Sequence, residues 1–355
     1  MATTAQPGTD RTDPTVGGLG RKPRSLWSDA RRRLFSSTVG RIGMAICSFL
    51  IAIAIITPLV KPLDTTLNRD TPNKLRQPSW LMSDEELVTA GEVSGDRTRN
   101  DAPWTTFERP FGTDQLGRDL FIRVLHGAPI SLTVGMAAVL LSVFFGSLLG
   151  LAAGFIGGVF DTVSTWVMDI MLAFPSILLA IALTAISNDP RSFSYALGEK
   201  ISNMPILGAI FDTPLFNAMI AVAIVEIPIF GRIARAAVIS LRGQEYVTAA
   251  EALGVKKIRI LFRHILPNSL TPILVQMTLS IATAITSVAA LGFLGLGAQP
   301  PRPEWGSMLS TARDYVGTGQ WWYALFPGVA IMLTVLGFNL LGDGLRDALD
   351  PRLKA

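Results

Sequence analysis

Residues 42–60, 124–160, 265–301 and 315–342 contain no Asp, Glu, Lys or Arg at all. No other feature of the chain constrains its fold as strongly. An α-helix needs roughly 20 apolar residues to cross a bilayer, and it satisfies its own backbone hydrogen bonds in lipid. Every one of these runs is close to or above that length. Charged residues make up only 16% of the 355 residues, where a soluble domain carries about a quarter. The expected fold is an all-α polytopic membrane protein.

Six apolar segments can be drawn, at about 42–60, 132–157, 162–187, 214–233, 271–296 and 323–343, the third interrupted by Asp169 and the fourth by Glu226. Six crossings put both termini on one side, and the Lys/Arg asymmetry decides which. The 1–41 tail holds eight basic residues, the 232–264 loop seven and the C-terminus three, whereas the short loops of the opposite side hold only Arg191, Lys200, Arg302 and Arg313. Both termini and the 232–264 loop are therefore expected in the cytoplasm. The net charge of +4 thus records membrane orientation and is no nucleic-acid footprint.

Other classes fall by composition. One cysteine, Cys47, and two histidines, His126 and His264, cannot build a His/Cys metal cluster. Without a Gly-Lys dipeptide there is no P-loop, so any ATP chemistry belongs to another chain. Residues 1–41 form a basic tail whose first 25 residues, rich in Thr, Gly, Pro and Asp, are expected to be disordered. In the 61–131 loop, residues 61–109 are polar, with Asp84, Glu85 and Glu86, and show no periodicity. Beyond Phe111, a cap at Thr113 or Asp114 and a stripe of Leu116, Leu120, Phe121, Val124 and Leu125 predict an interfacial helix near 113–126. Trp321, Trp322 and Tyr323 suit an aromatic belt at the outer edge of the last span, and 344–355 is expected to be a cytoplasmic tail.

The cytoplasmic stretch from Glu245 to Pro267 carries the most information. Ala249, Ala250 and Ala252 make a flat, small-residue turn; Gly254 can take the left-handed conformation that ends a helix. A second amphipathic turn places Ile258, Leu261, Phe262 and Ile265 opposite Lys256, Lys257, Arg259 and Arg263, and Pro267 is expected to stop it. Two short helices meeting at a glycine suit another protein's groove; an amphipathic loop of this kind also suits anionic headgroups.

This segment resembles the EAA loop of binding-protein-dependent ABC permeases, in which a glycine is followed by nine residues, an apolar residue, any residue, then Leu-Pro. Here Gly254 is followed by 255–263, then His264, Ile265, Leu266 and Pro267, with Ala249 and Ala250 at the two alanines. Thr248 stands where the family usually has Glu, and His264 where Ile is usual. Phe111–Asp119, Gly292–Pro301 with Glu304-Trp305-Gly306, and Asp343–Arg352 are similar to the second membrane subunit of the dipeptide/oligopeptide branch. The resemblance covers 111–355 and the first span, and leaves the long 61–109 segment unexplained.

The resemblance implies one N-terminal anchor helix, 42–60, and a five-helix type I importer core, 132–343, with a coupling loop at 232–270. It implies a bacterial cytoplasmic membrane and three kinds of partner besides lipid and the transported peptide: a homologous second permease, two cytoplasmic ATPases holding ATP and Mg, and an extracytoplasmic peptide-binding protein. Glu245, Ala249, Ala250, Glu251 and Gly254 are the expected ATPase contacts, with Leu266 and Pro267 fixing the loop to span five. No cofactor is expected in the chain itself.

Asp169 and Glu226, as intramembrane carboxylates, are candidates for the substrate pathway, where either would pair with a peptide's α-ammonium. The plainer alternatives place Asp169 near the cytoplasmic end of its span and pair Glu226 with Arg232 or Arg235. Pro175 is expected to kink span three, and Gly292, Gly295 and Gly297 to allow close helix approach or end span five. Arg302, Glu304 and Trp305 form either a contact for the binding protein or a solvated turn. The same machine carrying nickel or another small solute stays open. An ion-gradient-driven transporter would show matching interrupted helices, and a membrane enzyme a nucleophile–base or metal constellation; neither pattern is found.

Overall fold

The computed structural model describes residues 26–60, 74–82, 109–205 and 207–349. The described residues form helices joined by turns, with one isolated bridge between Thr113 and Asp119. Helix α1 is Leu26–Ser36 and α2 Thr38–Val60. After a short 3-10 turn at Ser79–Leu81 come α3 Leu120–Ile156, α4 Gly158–Ala173, α5 Ser176–Ser187, α6 Phe193–Ser202 and α7 Leu207–Ile210. Then follow α8 Thr213–Arg242, α9 Glu245–Ala252, α10 Lys257–Ile260, α11 Leu266–Phe293, α12 Trp305–Val316 and α13 Trp321–Leu349.

Five helical stretches are long and apolar enough to cross a membrane: α2, α3, α8, the 257–293 stretch and α13. A sixth crossing exists only as the pair α4 and α5, which meet at 98°. Pro175 is the cause, and its effect is a break where a kink was expected. A residue before proline is pushed out of the helical region, and Phe174 lies at φ −84°, ψ 140°.

Lipid provides no hydrophobic drive between helices, so close backbone approach must do the work. On α3, Gly146, Gly150 and Gly154 fall one turn apart and face Gly231, Ala234 and Val238 of α8. A Cβ on Gly146 would sit 2.8 Å from the Phe230 Cβ, and one on Gly154 3.0 Å from that of Val238. A second seam joins α2 to α13, where Gly40 lies against Gly344 and Gly43 against the Leu340–Leu341 backbone. Helix α11 packs on α3, α8 and α13 and closes the core. The contact between Gly40 and Gly344 also brings the two ends of the described chain to one side of the bundle.

Several expected boundaries move. The basic tail drawn as 1–41 contains α1, and the first span starts at Thr38; residues 1–25 lie outside the described residues. The 344–355 tail is helical to Leu349, because α13 runs on beyond the apolar segment. The interfacial helix near 113–126 does not form. Instead Asp114 closes a tight turn by accepting the amides of Leu116 and Arg118 at 2.9 Å. The helix begins at Leu120, capped by Asp119, whose carboxylate accepts the Phe121 and Ile122 amides. Leu120 is fully buried, so this turn of helix is the first of a membrane span and does not float on its surface. Phe111 seals the turn by stacking on Phe326, ring centroids 3.8 Å apart. Most of 61–109, with Asp84, Glu85 and Glu86, lies outside the described residues. The aromatic belt reduces to Trp321, since Trp322 and Tyr323 are buried.

Candidate functional site

At the end of the bundle where α3 and α8 finish, α9 and α10 form a knob. Gln244 starts α9, and Gly254 ends it at φ +76°, a conformation that costs side-chain-bearing residues dearly. The knob is tied down from below. Val247, Ile260 and Ile265 are buried with Val238 of α8, against Leu151 and Phe155 of α3. Arg242 adds a hydrogen bond from Nη1 to the Gly154 carbonyl at 3.1 Å.

The second half of the knob departs from the expected helix. Residues Leu261–Ile265 form a π turn that runs straight into α11, so Pro267 does not stop the chain. A proline inside an α-helix clashes with the carbonyl four residues earlier; here that stretch is the wider π turn, which takes up the misfit. The five-residue step also moves the buried face. Ile260 and Ile265 point into the base, while Ile258 and Phe262, expected on that face, are 57% and 61% exposed.

Glu245, Ala249, Glu251 and Gly254 are exposed and Ala250 half-buried, so four of the five expected contacts are open to a partner. Leu266 and Pro267 begin α11 at the knob's base. What sequence reasoning missed is an apolar crown. Leu253, beside the glycine, is 84% exposed, and with Ile258 and Phe262 it makes the knob's surface apolar. The left-handed glycine was the available signal: the residue before it is lifted clear of the helix it ends.

The two intramembrane carboxylates have different settings. Asp169 of α4 accepts from Arg232 Nη2 at 2.6 Å, with both side chains about half exposed (52% and 56%). One turn along α8, Arg235 grips Asp161, its Nη2 2.7 Å from Oδ2. Glu226 therefore does not pair with Arg232 or Arg235, since both point to α4. It is buried between α8 and α11, where it accepts from Ser280 Oγ at 3.0 Å and Thr283 Oγ1 at 3.4 Å. A half-exposed ion pair is worth about 0–1 kcal/mol, so Asp169→Asn is expected to change uptake by less than about twofold. A radiolabelled-peptide uptake assay checks this. Large loss with normal expression would assign Asp169 to substrate.

At the opposite end of the bundle, two of three expected surface residues are interior. Glu304 caps α12: Gly306 and Ser307 amides donate to its two oxygens at 2.8 Å, and Ser131 Oγ donates at 3.2 Å. Burial pushes the Glu304 carboxyl above the ordinary carboxylate range, while these hydrogen bonds pull the other way. Trp305 is 1% exposed and donates from Nε1 to the Val124 carbonyl at 2.9 Å. Gly292 makes room for Glu304, and Gly127 for the Trp305 ring. Neither Glu304 nor Trp305 can meet a binding protein; capping and core packing claimed them. Arg302 is half-buried, donates to the Gly208 carbonyl and lies 3.9 Å from Asp212. A glutamine amide nitrogen cannot accept from a backbone N–H, so Glu304→Gln is expected to destabilise the protein by about 1–3 kcal/mol despite losing no volume. Thermal unfolding in detergent measures this, with Ser307→Ala as the variant that keeps the cap.

This geometry, a helical bundle sealed by glycine seams and carrying one tethered knob, is that of a polytopic membrane protein. The model of the binding-protein-dependent transport system inner membrane component matches residues 146–355, and that of the N-terminal transmembrane domain of oligopeptide transport permease C matches 25–78. The chain belongs to this family of ABC importer permeases. Among its curated relatives, the dipeptide transport system permease protein DppC of Alkalihalophilus pseudofirmus is 45% identical over 331 residues, 93% of this chain and 91% of the relative. The di/tripeptide transport system permease protein DppC of Pseudomonas aeruginosa is 41% identical over 322 residues, 90% of each chain. The glutathione transport system permease protein GsiD of Pectobacterium atrosepticum is 44% identical over 244 residues, 69% of this chain and 73% of the relative.

Proposed function

We infer that this chain is one of two permease subunits of an ABC importer that moves dipeptides or oligopeptides into the cytoplasm. The observation that carries the reading is the knob. Its apolar crown, Leu253, Ile258 and Phe262, is exposed with no partner surface among the described residues, and an apolar patch rimmed by charge marks a protein or membrane contact. Its base is continuous with α11 through the π turn and packed on α3 and α8. Force applied to the knob therefore reaches three core helices directly.

In this reading, a cytoplasmic ATPase dimer, which holds the ATP and Mg, grips one knob from each of two homologous permeases. Closure on ATP turns the pathway between them outward, toward a peptide-loaded extracytoplasmic binding protein. This chain brings no cofactor of its own, and both its termini lie in the cytoplasm. The curated dipeptide and di/tripeptide relatives support peptide as the cargo. The test is purification of the chain from its native membrane, mass spectrometry of what comes with it, and peptide-dependent ATPase measurement on the reconstituted complex. Co-purification of an ATPase and a second permease is expected, with stimulation by peptide-loaded binding protein. Absence of an ATPase chain overturns the reading.

A further inference from the structure

At the outer end of the bundle, away from the knob, the Phe111–Asp119 turn, the cis Pro300–Pro301 bond and the first turn of α3 meet around a cavity of about 260 Å³. Two buried arginines line it. Arg118 donates from Nε to Asp114 Oδ2 at 2.6 Å, and Arg123 Nε lies 3.4 Å from the same oxygen. Asp114 is fully buried, and each arginine side chain is only 7% exposed. The other Asp114 oxygen is already taken by the Leu116 and Arg118 amides. One carboxylate thus answers two guanidinium groups, and one positive charge is left over.

A buried charge needs a counter-charge, and among the described residues the neighbouring carboxylates are otherwise engaged: Asp119 accepts the Phe121 and Ile122 amides at the start of α3. Asp212 faces Arg302 across 3.9 Å, and Glu304 is taken up by its cap. Arg123 Nη1 reaches the Pro301 carbonyl, at 3.4 Å, and Arg118 holds Asp114 through Nε. The rest of the wall brings no counter-charge. Tyr323 donates to the Gln115 carbonyl oxygen, which leaves the Gln115 amide as a donor, and Thr311 donates its hydroxyl to the Ser307 carbonyl. The planar fork of arginine fits a carboxylate with two parallel hydrogen bonds. At about 260 Å³ the cavity is below the roughly 300–1,000 Å³ of pockets that engulf a whole ligand, so it suits the end of one.

The geometry points to a carboxylate-binding pocket at the outer mouth, with Arg118 and Arg123 receiving the free C-terminal carboxylate of a peptide. This rests on the peptide-import reading and adds a permease-level choice for cargo with a free C-terminus.

The test uses the complete transporter in nanodiscs without its binding protein, titrated calorimetrically with a short alanine peptide and with the same peptide amidated at its C-terminus. The free acid is expected to bind about 30-fold tighter than the amide, the worth of one charge-assisted fork. Two variants should erase that difference. Arg118→Gln removes the fork, and Thr311→Glu places a built-in carboxylate on the wall without touching Asp114. Thr311→Glu keeps the test decisive if the first variant does not assemble, with complex yield as the control for folding. Equal binding of acid and amide to the unmodified transporter overturns the proposal, as does a preference that survives Thr311→Glu. Weakened docking of the binding protein to Thr311→Glu, with no acid–amide difference in the unmodified protein, assigns the carboxylate to that partner and also overturns it. Failure of peptide transport in the full system with binding protein would sink the import reading itself, which this titration does not decide.

Discussion

Peptide uptake is expected to fall to background when Gly254 becomes tryptophan, while the variant still inserts in the membrane and pairs with the second permease. Two effects combine. Any side chain at φ +76° pays about 1–2 kcal/mol in the left-handed region, and an indole on the crown blocks the surface beside Leu253. No atom lies within 4 Å of a Cβ built on Gly254, so the bulk points outward into the partner's space and leaves the fold alone. Gly254→Ala separates the two: it carries the strain without the bulk. The order expected for uptake and for ATPase retention through purification is native, then alanine, then tryptophan near zero. Normal uptake by the tryptophan variant would remove the knob from coupling altogether.

The second large effect is expected at the α3–α8 crossing. A Cβ on Gly150 would overlap the carbonyl oxygen of Gly231, and it would also lie 2.9 Å from the Ala234 Cβ. The first obstacle is backbone, so no rotamer change can relieve it, and α3 must move away from α8 along the whole seam. Overpacking a tight interior costs about 1–3 kcal/mol even where side chains can yield. Gly150→Val is therefore expected to remove most monodisperse protein from detergent extracts. Gly328→Ala is the matched control. Nothing lies within 4 Å of its added methyl, and replacing glycine within a helix gains roughly 0.5–1 kcal/mol, so its thermal midpoint should hold or rise. Equal yields for the two variants would show that the seam is looser than the backbone contact implies.

Much of this was legible without coordinates because it depends on local properties. The solvent a segment lives in follows from the absence of charge over about 20 residues, and four of the five long spans lie where the uncharged runs are, while α8 covers the segment interrupted by Glu226. The knob was legible too, since Gly254 and the spacing to Leu266-Pro267 are features of contiguous chain. The turn that replaced the 113–126 helix was not. An apolar stripe of Leu116, Leu120 and Val124 suits an interfacial helix equally well until Leu120 is seen to be completely buried and Asp114 to be held by Arg118 and Arg123. Glu304 shows the same limit. A Glu-Trp-Gly in a loop after a span reads as surface, and only the approach of Gly292 and Ser131 makes it an interior cap.

The sequence alone determined the medium, the approximate crossings and the presence of a two-helix knob around Gly254, because polarity and spacing act over neighbouring residues. The tertiary structure decided which charges meet. Asp169 found Arg232, Asp161 found Arg235, and Glu226 was left to two hydroxyls. Those pairings depend on the distance between helix axes, and that distance is fixed by small residues such as Gly150 and Gly231, which lie 81 positions apart in the chain. No local pattern encodes such a separation; it exists only once the helices have packed.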